Sequence, residues 1–320
     1  MPRPIKDSVI VITGASSGIG RATAIKLAKQ GATLLLAARR EAALELVASE
    51  CDRLGGKALV VPTDVTNEEA VAALARRAIE TFGRLDVWVN NAAVSLFARF
   101  EDAPSEVFRR VIETNLFGYI HGARAAMPYF REQGSGILID VASVVGIAPQ
   151  PYTSAYVISK HGIRGLANCL RMELNLDEAP NIHVCTVMPA TIDTPLFNHA
   201  ANYTGRKPKA MNPVYSAEHV ADTIVGLVER PQREVIVGQA GYLMVAQSMA
   251  SPEIYEQTMA RQVDNDHLEK TPAPDTEGNL FEPTQQDATI SGGWPHTGEP
   301  LQEVWKVVKR TAQGFGIPIY

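Results

Sequence analysis

Two stretches of this sequence space a tyrosine four residues ahead of a lysine: Tyr156 and Lys160 in SAYVISKHG, and Tyr203 and Lys207 in YTGRKPK. Residues four apart on a helix are neighbours, and a tyrosine beside an ammonium has a chemical use. A phenol, with an ordinary pKa of about 10, is a poor base at neutral pH, and a nearby positive charge favours the phenolate. Such a tyrosine can exchange a proton with an alcohol or carbonyl oxygen. The second pair is set among Gly205 and Pro208, which oppose a helix, so its side chains need not meet. Ser143 closes the apolar run ILIDVA ahead of the first pair, where its hydroxyl can donate to an oxygen that gains charge. A serine at a strand end is also an ordinary turn residue or helix cap, so Ser143 alone decides nothing.

The elements that must hold these groups are legible as a pattern. From Ser8 to about Ile236, short runs of Val, Ile and Leu alternate with longer segments of helical period, as βα units around a parallel sheet should. Seven strands are predicted, near Val9 to Thr13, Thr33 to Ala37, Ala58 to Val61, Asp86 to Val89, Gly136 to Val141, His183 to Val187 and Glu234 to Val237. Most lack polar alternation, the mark of strands covered on both faces. Helix starts are signalled by Thr66 or Asn67 ahead of Glu68 and Glu69, and by Ser216 ahead of Glu218. The fold class is α/β, a doubly wound, seven-stranded parallel sheet of Rossmann-like form. In such a sheet Ser143 lies at a carboxyl end, beside the ligand crevice.

Between the first predicted strand and the helical segment from Arg21 to Lys29 lies TGASSGIG, Thr13 to Gly20. Gly14, Gly18 and Gly20 permit a tight turn, close backbone approach to a pyrophosphate and close packing of helix on strand. The helix N-terminus adds free N–H donors for an anion. The spacing GxxxGxG differs by one residue from the general dinucleotide fingerprint, and a βα turn without ligand is the alternative reading.

Taken together, the glycine loop, Asn90 and Asn91 after the fourth strand, Asn115 in a helix, Ser143, and the Tyr156 with Lys160 pair resemble the short-chain dehydrogenase/reductase family, in its GxxxGxG and YxxxK branch. The resemblance covers roughly Ile5 to Val237. It implies a nicotinamide-dependent oxidoreductase whose active tetrad is Asn115, Ser143, Tyr156 and Lys160. Tyr156 would be the proton donor or acceptor, Ser143 would polarise the carbonyl, Lys160 would lower the tyrosine pKa and hold the nicotinamide ribose, and Asn115 would support a water relay. The cofactor contacts it implies are Gly14, Ser16, Ser17, Gly18, Ile19, Gly20, Asp64, Val65, Asn91, Ala92, Pro189, Ile192 and Thr194, with Tyr156 and Lys160 shared. Two departures stand out: the usual NNAG reads NNAA, with Ala93, and the usual PG reads PA, with Ala190. Either matters if the replaced glycine needed positive φ. The family also implies a homodimer or homotetramer, paired through the helices expected near Ser105 to Arg131 and Tyr152 to Leu176.

Cofactor choice is read from LLLAARRE, the end of the second strand. NAD-preferring enzymes place an acid there to bind the ribose 2′-hydroxyl, whereas here stand Ala37, Ala38, Arg39 and Arg40. Arg39 is the residue chosen to grip a 2′-phosphate, so NADP(H) is expected. The alternative is that both arginines are solvated and Glu41 reaches back to the ribose. Loops bordering the crevice carry Leu96, Phe97, Val145, Ile147, Tyr152, Leu196 and Phe197, which suits an apolar ketone or secondary alcohol.

Composition excludes other classes. The chain has 320 residues, 46 % of them hydrophobic and 20 % charged, and a net charge of −5, so it has neither the composition of a disordered chain nor the basic excess of a nucleic-acid binder. Cys51, Cys169 and Cys185 are an odd set without a CxxC pair, and no two histidines stand at i,i+4, so neither a disulfide framework nor a metal is expected. The N-terminus lacks a signal-peptide pattern and no stretch approaches membrane-span length, which points to the cytoplasm. Residues 1–242 are expected to form the dinucleotide-binding and catalytic domain, and 243–320 a C-terminal extension. Residues 251–300 carry a net −8 with six prolines and four glycines, the composition of an irregular arm. Beyond it, Leu301, Val304, Trp305 and Val308 form one apolar helical face, expected to dock on this subunit or a neighbour rather than on a membrane. The rival to an enzyme is a non-enzymatic NADP(H)-binding sensor or scaffold that kept the fold and lost turnover.

Overall fold

The computed structural model describes residues 4–284 and 288–298; the apolar face from Leu301 to Val308 lies outside them. The first strand, β1 (Val9–Thr13), is buried along its whole length, so both its faces need apolar side chains. Ile10 and Ile12 point to one layer and Val9 and Val11 to the other, the period of two that a strand imposes. The chain continues through α1 (Gly18–Ala28), β2 (Thr33–Ala38), α2 (Glu41–Arg53), β3 (Lys57–Pro62), α3 (Glu68–Phe82) and β4 (Val87–Asn90). Next come α4 (Ser105–Ile112), a π turn (Glu113–Phe117), α5 (Gly118–Gln133), β5 (Gly136–Val141), α6 (Ser154–Leu176), β6 (Ile182–Pro189), α7 (Ala217–Glu229) and β7 (Glu234–Val237).

The seven strands form one parallel sheet in the order β7-β6-β5-β4-β1-β2-β3. Because β2 and β3 lie to one side of β1 and β4 to the other, the loops leaving β1 and β4 diverge and open a crevice at their carboxyl ends. The helices start where local chemistry supplies an acceptor. Asn67 caps α3 through its side chain on the Ala70 N–H, and Ser216 caps α7 on the His219 N–H. Gly83, at φ 72°, ends α3 in the left-handed conformation that glycine tolerates.

The extension is partly regular, and this corrects the sequence reading of 251–300 as irregular throughout. After α8 (Gln239–Ala250), which contains residue 242, Pro252 opens a further helix, α9 (Pro252–Asp266), at the position where its missing N–H costs nothing. Tyr255, Met259 and Val263 recur every four residues and bury against Val145, Met188 and Met211, so packing overrides an acidic composition. Leu268–Pro272 then pairs antiparallel with Arg206–Pro208. Tyr203 and Lys207 accordingly stand on loop and strand rather than on a helix. From Ala273 the described chain is an irregular arm with one isolated bridge, Asn202 to Thr276.

Candidate active site

The Tyr156 and Lys160 side chains come off the first turns of α6, whose start faces the carboxyl end of β5. Tyr156 and Ser143 line the same cleft and lie close enough for Ser143 to bear on the phenol's titration, so the two hydroxyls expected to act on one oxygen are neighbours. Ser143 is extended at the end of β5; its hydroxyl donates to the Pro189 carbonyl and accepts from the Val145 N–H, both at 3.3 Å. Its capping role and its position in the cleft are therefore compatible. Lys160 is 1 % exposed. Its ammonium donates to the Val141 carbonyl at 2.8 Å and lies 5.3 Å from the centre of the Tyr156 ring.

Electrostatics here depart from the simple sequence argument. Burial pushes the Tyr156 phenol up to about 12, with the Ser143 hydroxyl pulling the other way. The Lys160 charge is aimed at the Val141 carbonyl rather than at the phenol oxygen, and burial itself draws the ammonium pKa down.

Asn115 occupies the π turn between α4 and α5, where the sequence reading expects one long helix from about Ser105 to Arg131. Single π turns inside helices recur at functional sites because the extra residue re-aims a side chain. The Asn115 amide is fully buried; it accepts from the Val94 N–H at 2.8 Å and donates to the Val94 carbonyl at 2.9 Å. It also donates to Ser159, whose hydroxyl donates to the Tyr156 carbonyl. Asn115 thus ties the loop after β4 to the tyrosine's own helix and stands behind the cleft wall rather than on it.

The other expected residues converge. Gly14, Ser16, Ser17, Gly18, Ile19, Arg39, Asp64, Val65, Asn91, Ala92, Pro189, Ile192 and Thr194 line one cleft together with Ser143, Tyr156 and Lys160. Gly20 lies beneath the loop, where a Cβ would sit 2.3 Å from the Gly14 carbonyl oxygen. At Gly14, φ 66°, a Cβ would come within 2.8 Å of Ala92 Cα. Backbone therefore packs directly on backbone, and Asn91 locks the arrangement by donating to the Thr13 and Gly14 carbonyls. Ser17, at the start of α1, makes no side-chain cap. A glycine cradle of this shape, opening on a helix N-terminus, fits the pyrophosphate of a dinucleotide. Ala93 and Ala190 fit without strain, since Tyr152 and Glu178 are the non-glycine residues at positive φ among those described.

Asp64 is held below the usual carboxylate range: burial pushes it up, and hydrogen bonds from Thr66 and Arg110 outweigh that. On the substrate side, Phe97, Val145, Leu196 and Phe197 line the cleft as expected. Leu96 and Ile147 pack into the core, and Tyr152 turns its hydroxyl to Asp264 on α9 at 2.9 Å. The sequence reading omits Met211, Met244 and His267, which line the same end. His267 is neutral there: burial draws it down to about 4, and its Nδ1 meets the Lys209 carbonyl. No local pattern around these residues marks them: Met244 and His267 are brought in from the extension by α8 and the end of α9, and Met211 stands on the loop after Arg206–Pro208.

The arm that the composition predicts also enters the cleft, which the sequence reading does not anticipate. Asn279, Pro283 and Thr284 line the cleft. Arg39 donates to the carbonyls of Asn279, Leu280 and Phe281 at 2.6, 3.1 and 3.0 Å, Arg110 to that of Leu280, and Arg40 to that of Thr284. The Gly18 N–H, in the glycine loop, donates to Thr289 at 2.9 Å. The far end is pinned by Asp193, whose carboxylate accepts from the Ser291 hydroxyl, the Gly292 and Trp294 N–H groups, and His296. Among the described residues, no group of three or more His, Cys, Asp or Glu is arranged to hold a metal ion, and no helix is long and apolar enough to cross a membrane.

Comparison with known proteins agrees with this geometry. A family model described as short chain dehydrogenase matches residues 8–204. The oxidoreductase YxnA of Bacillus subtilis, itself uncharacterized, is 36 % identical over 297 residues, covering 91 % of this chain and 83 % of its own, so the likeness reaches into the extension. An alcohol dehydrogenase from the archaeon Thermococcus sibiricus, solved with 5-hydroxy-NADP, is 29 % identical with a TM-score of 0.63, covering 72 % of this chain and 95 % of that one. A short-chain dehydrogenase/reductase from Burkholderia phymatum, solved with NAD, is 26 % identical with a TM-score of 0.69, covering 78 % and 95 %.

Proposed function

Since the chain belongs to the short-chain dehydrogenase family, an oxidoreductase family that binds nicotinamide cofactors, we propose that it moves a hydride between NADP(H) and an apolar ketone or secondary alcohol. The observation that carries this reading is the convergence of Ser143, Tyr156 and Lys160 on one cleft, the same cleft that begins at the glycine loop. A bound nicotinamide dinucleotide supplies or accepts the hydride. The chain's own residues do the rest. The N–H groups at the start of α1 that the arm leaves free, beyond that of Gly18, and the backbone at Asn91 and Ala92 would hold the dinucleotide, with Asp64 toward its adenine and Thr194 toward its carboxamide. Ser143 donates to the substrate oxygen, and Tyr156 gives that oxygen a proton in reduction or takes one in oxidation.

The choice of NADP(H) rests on Arg39 and Arg40 at the cleft mouth, where no acid ends β2. Three guanidinium hydrogens of Arg39 are used by the arm, which leaves its Nε–H and one Nη2 hydrogen for a 2′-phosphate. The substrate's apolar character rests on Phe97, Val145, Leu196, Phe197, Met211 and Met244. We assign binding and catalysis to residues 1–242, with 243–320 as an extension that adds walls to the site. Exposed Phe117, Ile158 and Met172 on the π turn and α6 support a homodimer or homotetramer through those helices. The cytoplasmic location expected from the sequence stays part of this reading.

The test is oxidation of NADPH, and separately NADH, with a panel of apolar ketones, using Tyr156→Phe as the control. Turnover is expected for the unaltered chain and a loss of at least about a hundredfold for the variant, the scale of one proton-transfer group, with dinucleotide binding retained. A Tyr156→Phe enzyme with near-normal kcat on a good substrate refutes the mechanism. Tight dinucleotide binding without turnover on any ketone or alcohol supports the sensor instead.

A further inference from the structure

We propose that Asp140 is the buried counter-charge of Lys160 and, through it, a positioning residue for the proton-transferring hydroxyl of Tyr156. The inference rests on the reading of Tyr156 given above. Asp140 stands in the middle of the sheet on β5, where Ile137, Ile139 and Val141 face the α1 and α7 layer. By strand alternation Leu138 and Asp140 face the opposite layer, the side from which α5 and α6 pack. Asp140 is 0 % exposed. An acid at such a position is expensive unless something answers its charge.

Its hydrogen bonds do not answer it. Oδ1 accepts from the Asn90 amide at 2.9 Å, and that amide is oriented by Trp88, whose indole N–H donates to Asn90 Oδ1 at 2.7 Å. Oδ2 has no hydrogen-bond partner among the described residues. The fit leaves no slack, because a Cβ at Gly122 on α5 would sit 2.2 Å from Asn90 Oδ1. The side chain is thus aimed and held, with one lone-pair edge left to act through its field.

Two cations and one phenol lie on this carboxylate's side of the sheet, Lys160 and Arg171 from α6 and Tyr119 from α5, with Tyr156 beside Lys160 and the Cys185 thiol of β6 on the opposite face. Arg171 already has a carboxylate, Glu234, at 3.5 Å and donates to the Val184 and Arg233 carbonyls. Among the described residues Lys160 has only neutral contacts: the Val141 carbonyl, the Tyr119 hydroxyl at 3.5 Å, and the faces of the Tyr119 and Tyr156 rings. The Val141 carbonyl belongs to the residue next to Asp140, so the ammonium is anchored on the peptide that follows its counter-charge. Burial draws the lysine toward its neutral form and pushes the Asp140 carboxyl up to about 7, and each charge opposes the shift of the other. A neutral Lys160 gives Tyr156 no electrostatic help.

The experiment is the pH profile of kcat/KM for ketone reduction in Asp140→Asn, which keeps size and the acceptor for Asn90. The limb that needs charged Lys160 is expected to move to lower pH by about one unit, the tenfold change in proton concentration that follows from losing one buried opposite charge. A profile of unchanged shape, scaled or not, overturns the proposal. The failure of the underlying reading is separate, since that would appear as an active Tyr156→Phe. Should Asp140→Asn fold poorly, Asp140→Asn with Lys160→Met provides a readout independent of activity. If the two charges answer each other, the double variant melts no lower than the worse single. Strictly additive losses overturn the proposal equally.

Discussion

Replacing Asp193 by Asn should release the arm from the cleft while leaving the sheet intact. Asp193 is 3 % exposed and meets the arm with both oxygens. Oδ1 takes the Gly292 and Trp294 N–H groups at 2.8 and 3.0 Å, and Oδ2 takes the Ser291 hydroxyl and His296 at 2.5 and 3.1 Å. An amide removes the charge and turns one of these acceptors into a donor. Hydrogen bonds to a charged group contribute about 1.5–3 kcal/mol each and neutral ones about half that, so the docked arm should lose about 2–4 kcal/mol after partial rearrangement. That corresponds to an opening equilibrium raised between about thirtyfold and several hundredfold. Amide hydrogen exchange on a peptide spanning residues 288–298 reads this directly, and the Gly18 amide, which donates to Thr289, should lose protection with it. The pH dependence has a definite sign. Burial pushes the Asp193 carboxyl up, but the hydrogen bonds from Ser291, Trp294, His296 and Gly292 hold it below the usual carboxylate range. Its contribution is therefore complete above the unfolded value of about 3.9 and is lost as pH falls through the lower folded value. Arm protection in the unaltered chain should be constant from neutral pH down to about 5 and decline in the acid range below that. Unchanged protection in Asp193→Asn at neutral pH would refute the anchoring argument.

Three further outcomes follow from the site. Arg39→Asp should cost NADPH at least about tenfold more in kcat/KM than NADH, because it replaces a cation facing the 2′-phosphate by an anion; equal losses with both dinucleotides would remove Arg39 from cofactor choice. Gly20→Ala places a Cβ 2.3 Å from the Gly14 carbonyl oxygen and 2.6 Å from Asn91 Nδ2, so the loop must shift at a cost of about 1–3 kcal/mol. Dinucleotide titration calorimetry should show binding weakened or lost, and unchanged affinity would contradict the tight backbone packing. Sedimentation at micromolar concentration should give a dimer or tetramer, and Ile158→Arg on the exposed face of α6 should dissociate it; a monomer in the unaltered chain would contradict that assembly.

The sheet was legible because burial on both faces leaves its strands continuously apolar. Each of the seven predicted strands is present, three with the predicted ends and four with ends shifted by one or two residues. The glycine loop was legible for a different reason: at Gly14 and Gly20 no side chain fits, so the sequence must show the constraint. Asn115 was found, but its π turn was not, since one extra residue in a helix leaves the apolar period nearly unchanged. The orientation of Lys160 was likewise invisible. Spacing places it beside Tyr156, whereas the Val141 carbonyl, set by the packing of α6 on β5, decides where its charge goes. Met211 and His267 could not be reached from local sequence, because residues 56 apart in the chain meet only through the pairing of Arg206–Pro208 with Leu268–Pro272.

The arm was hidden for a further reason. At the adenine end of the cleft the arm gives main-chain carbonyls, those of Asn279, Leu280, Phe281 and Thr284, and the core gives the side chains, Arg39, Arg40 and Arg110. A carbonyl is present at every residue, so the arm's composition carries no trace of these contacts. What composition does carry is its charge. Residues 251–300 hold a net −8, against arginines clustered at the cleft mouth, and a field of that sign favours docking before any hydrogen bond forms. Exposed charges are screened over about 8 Å at physiological salt, so this attraction is non-specific and weak at any one contact. Position is fixed instead by charge-assisted hydrogen bonds from Arg39, Arg40 and Arg110 to the arm's carbonyls and by the Asp193 anchor. The same arginines that read as a 2′-phosphate site in the sequence are therefore also the seat of the arm, and any ligand gripping Arg39 must do so through the hydrogens that the arm leaves free.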